Sequence, residues 1–586
     1  MQYRQVILIV FLLLSMHSFT QVSIHVEEAK RYHDYGVLSN DEYDALSGFE
    51  VMDDRVEVNA SGLDKIVFGY HPYWGGSNYL NYQWELLSDL CYFSYDVDPE
   101  TGGATSYYDW LTSPAIDSAF ANGTRVHLCV TLFSGQSIFF NNPQSRETLT
   151  NNLIALVKQR GAHGVSFDFE AVPSSQGGNM LDYIAEFSTA FHDSLPEGIL
   201  SIAMPAVDWS GIFDVSVLNQ HIDLYMIMGY DYYWNGSSMA GPTDPHYNMT
   251  SGYSYSVSRT VSYYQSEGMP MNKMLIGVPY YAREWPTASG TAPSATTGNG
   301  SAYTWAKIKN NTSGNYSTEN KHLEPNSFGP YYSYNDNGWN QCFVNDVNSL
   351  ERRYKMVNYR SLAGIGIWAL GYDNGYTDLW EVINENLAQG TQITLFDTLY
   401  DSGGPTWNYY NDENYTITIH GLDDEAIRLQ FTQFNLETGY DSLWVYDGYY
   451  PGGYLIGGYT GNTIPPEMES SEIMTLRFRS DPATTAPGWT ALVESFLISI
   501  EEGREPDIDT KIYPNPASTM LNLELQPFNS PALVSIYDLQ GRVMATDNIP
   551  PGTGTMQMDV SGLPAGIYLL VLSTGSQQAH RKIIIY

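Results

Sequence analysis

Two acids close an apolar run in the stretch Gly161-Ala-His-Gly-Val-Ser-Phe-Asp-Phe-Glu170. Strand period two sends Val165, Phe167 and Phe169 to one side and Ser166, Asp168 and Glu170 to the other. The two carboxylates then share a face, roughly 7 Å apart along the chain. Acids at the mouth of an apolar strand are costly unless paired, solvated or used, so general acid and base chemistry is the first function to consider. An ordinary strand end with two solvated acids is the plain alternative.

The elements that must position such a pair recur with a rhythm. Short β-rich runs lie at Ile66 to Tyr70, Leu90 to Tyr95, Arg125 to Phe133, Gly164 to Glu170, Leu200 to Ala206, Leu224 to Tyr230, Met274 to Tyr281 and Gly364 to Leu370. Segments of helical pattern, such as Ser145 to Gln159 and Met180 to Phe191, separate them. Eight strands alternating with helices predict a TIM (β/α)8 barrel, whose working groups collect at the C-terminal strand ends. Those ends carry Tyr70 and Trp74, Asp168 and Glu170, Met228, Tyr230 and Asp231, Tyr281 and Arg283, and Trp368. Trp368 reads as a floor under a ligand or as a plug of the barrel core. Arg283 and Asp231 read as contacts to ligand hydroxyls or as an ion pair. A long Gly-, Ser-, Asn- and Tyr-rich insertion, about 286–359, is expected to act as a lid or small subdomain.

Composition narrows the partners. The chain has 586 residues, 43% of them hydrophobic, and a net charge of -38 with 47 Tyr and 13 Trp. That length implies several domains. The charge disfavours nucleic acid and anionic membranes, and the aromatic surplus suits stacking on sugars. Arg4, the apolar run Val6 to Met16 and His17-Ser-Phe-Thr20 predict a cleaved export signal over 1–20, with no transmembrane segment in the mature protein. Residues 21–63 are acidic and weakly patterned, an expected extended leader or cap. Of the three cysteines, Cys91 and Cys129 lie in apolar runs and read as buried free thiols.

His163-Gly-Val-Ser-Phe-Asp-Phe-Glu170, Met228-Gly-Tyr-Asp231, Gly69-Tyr-His-Pro-Tyr-Trp74 and Gly364-Ile-Gly-Ile-Trp-Ala-Leu-Gly-Tyr-Asp373 resemble, in order, strands of glycoside hydrolase family 18, the chitinase family, over about 64–388. The resemblance implies a retaining glycosidase acting on N-acetylglucosamine polymers by substrate-assisted catalysis, without a catalytic cofactor. Glu170 would be acid and base, Asp168 and Tyr230 would hold the acetamido group, and Tyr70, Trp74, Ser166, Met228, Asp231, Arg283 and Trp368 would line the sugar site. His163 and Ser166 stand where the family usually has aspartates, and Ser166 bears on how Asp168 is held.

Beyond the barrel, alternating strands over 392–498 predict a β-sandwich. Phe434-Asn-Leu-Glu437, Tyr440-Asp-Ser-Leu-Trp-Val-Tyr-Asp-Gly448 and Phe478-Arg-Ser-Asp481 resemble a CUB domain. That resemblance makes Glu437, Asp441 and Asp481 either a calcium site or a plain acidic loop. A charged linker, 499–508, leads to Lys511-Ile-Tyr-Pro-Asn-Pro516, Val534-Ser-Ile-Tyr-Asp-Leu-Gln-Gly-Arg542 and Leu563-Pro-Ala-Gly-Ile-Tyr-Leu569. These resemble the C-terminal sorting domain of the type IX secretion system, a second β-sandwich over 509–586. It implies that machinery as a partner and secretion or surface attachment through the periplasm of a Bacteroidetes-type bacterium. Peptidoglycan or N-glycan cores are alternative substrates, and a catalytically weak surface lectin is the alternative of another class.

Overall fold

The computed structural model describes residues 22–49, 62–388, 397–421, 425–497, 510–525, 531–538, 542–573 and 578–586. The export-signal reading and the charged linker lie outside these residues. Two helices, α1 (Ile24–His33) and α2 (Asn40–Ser47), precede the first strand. The leader, expected to be extended or a cap, thus holds two helices where it is described. Its local sequence explains this. Ser23 caps the Val26 N–H, Glu27 sits in the first turn, and Lys30, Arg31 and His33 sit in the last, which places charge favourably along the helix dipole.

Eight parallel strands follow among the described residues: β1 (Ile66–Pro72), β2 (Asp89–Val97), β3 (Arg125–Leu132), β4 (Gly164–Phe169), β5 (Ile199–Pro205), β6 (Leu224–Met228), β7 (Met274–Pro279) and β8 (Gly364–Trp368). β1 pairs with both β2 and β8, so the sheet closes into a barrel. These are the eight runs that periodicity marked, nearly all of their residues buried because helices cover the outside and side chains fill the inside. At Gly366 an added Cβ would lie 2.0 Å from Met226 Sδ. Only glycine leaves room there for the methionine that fills the barrel.

The helices α3 (Pro143–Arg160) and α4 (Gly177–Ser194) flank β4. Asn142 caps α3, Pro143 opens it, and Gly161 ends it at φ +71°, a backbone region glycine enters freely. On the outward face of β4, Phe167 packs 4.9 Å from the Phe187 ring of α4 and 5.9 Å from Tyr183. This outward anchoring turns Ser166 and Asp168 inward.

The insertion between β7 and β8, expected as a lid or small subdomain, has a sheet of its own. It holds a five-stranded antiparallel sheet in the order Ser301–Thr304, Tyr281–Thr287, Trp339–Phe343, Gly329–Asn335 and Lys321–Glu324. Its expected last residues belong to helix α5 (Val347–Tyr359), which precedes β8 as a barrel helix should. Short Tyr- and Asn-rich strands carry little alternation, so the sequence does not mark them as a sheet.

Two four-stranded sheets form the predicted sandwich after the barrel, one with Asn414–His420, Ile473–Arg479, Ser442–Asp447 and Tyr454–Tyr459, the other with Asp397–Tyr400, Gly488–Leu497, Glu425–Asn435 and Met468–Ser470. Hydrogen bonds seat it on the barrel: Trp407 Nε1 donates to the Asn248 carbonyl at 2.8 Å and the Tyr410 hydroxyl to Asn248 Oδ1 at 2.9 Å. Arg360 lies 4.4 Å from the Tyr415 ring centroid across the same seam. The last unit, Leu497–Tyr586, packs a three-stranded and a four-stranded sheet around its own apolar core. The three cysteines are free and buried.

At the opposite end of the barrel from the acids of β4, Asp89 opens β2 and pairs at 2.7 Å with both His127 and Arg125. Burial alone would raise the Asp89 pKa, but these two partners hold it below the ordinary carboxylate value. The stabilisation is therefore present at neutral pH and lost as pH falls into the acid range. Asp89→Ala strands a buried His127 and should cost the barrel about 3–5 kcal/mol, measured by denaturant unfolding at pH 7. A loss under about 1 kcal/mol, the value typical of an exposed pair, would contradict this reading.

Candidate active site

β4 delivers Asp168 and Glu170 to the C-terminal mouth of the barrel. Asp168 is fully buried, and 12% of the Glu170 side chain is exposed. Their carboxylate oxygens lie within 4.8 Å of each other. Burial first, and the Asp168 charge second, push the Glu170 pKa up to about 8, against smaller lowering effects from His25 and Ser23 and a further raising effect from Asp231. A pKa raised in this way favours the protonated form that a proton donor needs. Gln136 donates to its backbone carbonyl at 2.6 Å and so fixes the strand end.

The turn after β6 supplies Tyr230 and Asp231. Tyr230 is packed so closely against β7 that a Cβ at Gly277 would lie 2.7 Å from its ring. Asp231 sits at φ +57°, a strained position for a residue with a side chain. It is held there by the Tyr281 hydroxyl at 2.8 Å and Arg283 Nη2 at 3.2 Å. Arg283 is fully buried, so the ion-pair reading of Asp231 and Arg283 describes the geometry found.

β8 ends in Trp368, which is fully buried beside the acids. The Tyr70 ring lies 5.6 Å from it and that of Trp74 6.4 Å, making an aromatic wall and floor. Ser166 is buried below Asp168, its Oγ 3.5 Å from the Tyr70 hydroxyl. Among the described residues Asp168 Oδ1 is buried with no hydrogen-bond partner. Met228 ends β6 within the buried apolar cluster. Sequence-predicted residues from five strand ends thus meet in one place.

Sequence reading missed what fills that place. α1 enters the mouth N-terminus first. The Ser23 hydroxyl donates to Glu170 Oε1 at 2.7 Å, and the Ile24 N–H to Asp231 Oδ2 at 2.7 Å. His25 Nδ1 lies 2.8 Å from Asp168 Oδ2 and its Nε2 2.8 Å from the Tyr230 hydroxyl. The imidazole stacks on Trp368 at 3.8 Å between centroids. Burial works against a charged His25, but Asp168, then Glu170 and Asp231, overcome it and raise its pKa above 6.5. Glu28 accepts from Trp368 Nε1 at 2.9 Å and from the Tyr372 hydroxyl at 2.8 Å, and burial raises its pKa to about 7. Glu27 pairs with Arg283 at 3.0 Å. The capping Ser23 and the graded charges of 27–33 were the available signal for the helix, though not for its seat.

In the sandwich, carboxylate oxygens of Glu437, Asp441 and Asp481 lie within 4.8 Å of one another. Asp441 accepts from the Tyr409 hydroxyl and the Asp481 N–H. Glu437 Oε2 is buried without a hydrogen-bond partner, so the donor set suits a hard cation.

Comparison with known proteins agrees with this architecture. Residues 391–492 match the CUB domain family and residues 511–586 the secretion system C-terminal sorting domain. A protein of Bacillus subtilis (strain 168) named as a sporulation-specific glycosylase, YdhD, is 30% identical over 301 residues, 48% of this chain and 66% of that one. Chitotriosidase-1 of Mus musculus is 23% identical over 254 residues, 39% of this chain and 53% of that one. The chain thus spans between about half and two thirds of the length of these relatives. The solved class V chitinase from Nicotiana tobaccum superposes with a TM-score of 0.49 at 19% identity, over 55% of this chain and 99% of that one. Residues 66–373, the closed barrel with its acids, match glycosyl hydrolases family 18, and the chain belongs to that family.

Proposed function

We propose that the barrel is a retaining glycosidase that cleaves β-linked N-acetylglucosamine polymers, chitin first among them. The convergence of Asp168, Glu170 and Tyr230 over the Trp368 ring carries this reading. The names of relatives such as Chitotriosidase-1 favour chitin, and peptidoglycan or N-glycan cores fit the same chemistry. Glu170, protonated at neutral pH, gives its proton to the glycosidic oxygen as the bond to the anomeric carbon breaks. The acetamido oxygen of the same sugar attacks that carbon, so no protein nucleophile is needed. Asp168 accepts the acetamide N–H and stabilises the oxazolinium cation, while Tyr230 donates to the acetamide oxygen. Water then attacks the anomeric carbon from the vacated side, Glu170 takes its proton, the bond from that carbon to the acetamido oxygen breaks to restore the acetamide, and the configuration is retained. No step requires a metal or an organic cofactor.

The sorting domain addresses the chain to type IX export, and secretion or display at the surface of a Bacteroidetes-type bacterium follows from that reading. The sandwich would bind carbohydrate or protein beside the barrel. Glu437, Asp441 and Asp481 would hold a calcium ion there, fixing the loops that carry them. Calorimetric titration should show calcium binding that Asp441→Asn abolishes, and wild-type protein that takes up no calcium would refute the site.

Glu170→Gln should lower cleavage of chitooligosaccharides by about 10²- to 10⁴-fold, the usual worth of a general acid, with products read by mass. Wild-type rates should fall as pH rises through the Glu170 pKa, because the acid form is lost. Asp168 contributes to that raised value, and His25, Ser23 and Asp231 also face the group. Asp168→Asn should therefore move the falling limb to lower pH, besides slowing the reaction. Wild-type protein that cleaves neither chitooligosaccharides nor peptidoglycan, yet binds them as Glu170→Gln does, would favour the lectin alternative.

A further inference from the structure

We infer that α1 is a built-in competitive inhibitor, a segment of the chain whose His25 imidazole occupies the place of a sugar's acetamido group and must leave before a polysaccharide can bind. The inference deepens, and rests on, the acetamido-sugar reading of Asp168 and Tyr230.

The match is one of position, each ring nitrogen meeting a group that an acetamide would meet. An acetamide presents an N–H to Asp168 and an oxygen to Tyr230. The imidazole presents Nδ1 to Asp168 and Nε2 to the Tyr230 hydroxyl, both at 2.8 Å. Its flat ring lies on Trp368, tilted by 31°, where a sugar face would stack. The Ser23 hydroxyl lies 2.7 Å from Glu170 Oε1, the position from which a glycosidic oxygen would accept the acid's proton, although the serine donates there. Farther out, the Tyr32 ring stacks on Trp74 at 4.7 Å and 7°, covering a second aromatic of the cleft.

The rest of the segment holds these mimics in place. The N-terminus of a ten-residue helix, with its positive end of the dipole, points at Asp168, Glu170 and Asp231. Ile24 is fully buried, and Glu27 and Glu28 tie the next turn to Arg283 and Trp368. α2 clamps the far end: the Ser77 N–H after β1 donates to Asp44 Oδ1 at 2.7 Å, and Tyr43 packs edge-on to Tyr73. These polar contacts engage groups that a merely structural helix has no reason to seek. Asp168 is left with one buried oxygen unpaired even so, and the docked helix satisfies the other only until an acetamide replaces it. A tethered ligand of this kind competes at a high effective concentration, so it raises the apparent KM and leaves kcat nearly alone.

The test compares wild-type protein with the double variant His25→Ala/Glu28→Ala, neither position being part of the catalytic machinery. Hydrogen exchange of the amides of 22–33 reads docking, and initial rates on chitotetraose read inhibition. Wild type should show protected amides, whereas the variant should lose that protection and have a KM lower by at least about tenfold with kcat changed less than about threefold. A synthetic peptide of residues 22–49 added to the variant should raise KM again. Tyr32→Ala, which removes one ring at the rim, should give a smaller fall in KM and keeps the test usable where the double variant does not fold. Freely exchanging wild-type amides, or lost protection with unchanged KM, would overturn the inference. If neither protein cleaves, the glycosidase reading fails by itself. Chitotetraose affinity by calorimetry then decides: tighter binding by the variant upholds occlusion, and equal binding overturns it.

Discussion

The mouth of this barrel is organised by the burial of carboxylates close together. A buried charge is tolerated only when paired or hydrogen-bonded, and otherwise the group neutralises. Each acid here meets that constraint differently. Asp231 takes the Arg283 and Tyr281 partners and a strained backbone. Glu170 stays protonated because burial and its neighbour Asp168 push its pKa up. Asp168 accepts from His25, a residue 143 positions earlier in the chain. A carboxyl whose pKa is raised by burial and by a neighbouring carboxyl group is the arrangement that acid catalysis needs.

Around that constraint the fold supplies rigidity. Phe167 and Phe169 lock β4 onto α4, so the inward face cannot rotate away from the barrel axis. The Asp89, His127 and Arg125 cluster secures the other end of the neighbouring strands. The sandwich is seated by Trp407, Tyr410 and the Arg360–Tyr415 contact, so a ligand held there would keep a set position relative to the cleft.

Much of the barrel was legible in the sequence because buried parallel strands repeat a local signal, short β-rich runs between amphipathic helices. Asp168 and Glu170 could be singled out because strand alternation puts them on one face, whereas the role of Tyr230 came from the resemblance of Met228-Gly-Tyr-Asp231 to a family strand. The insertion was not legible as a sheet: Lys321–Glu324 and Ser301–Thr304 are four residues long and their faces are not cleanly apolar. The seat of α1 was invisible for a different reason. His25 meets Asp168 and Tyr230 across 143 and 205 residues, and its helix is short and polar, so nothing periodic in the leader announces a partner. Ser166 is buried with its Oγ 3.5 Å from the Tyr70 hydroxyl, and among the described residues Asp168 Oδ1 has no hydrogen-bond partner.

The most direct measurement is a crystal structure of Glu170→Gln grown with chitotetraose. The account predicts a sugar whose acetamido group lies between Asp168 and Tyr230 over Trp368, with residues 22–33 displaced from the barrel mouth. Sugar bound elsewhere while His25 keeps its contacts to Asp168 and Tyr230 would contradict it.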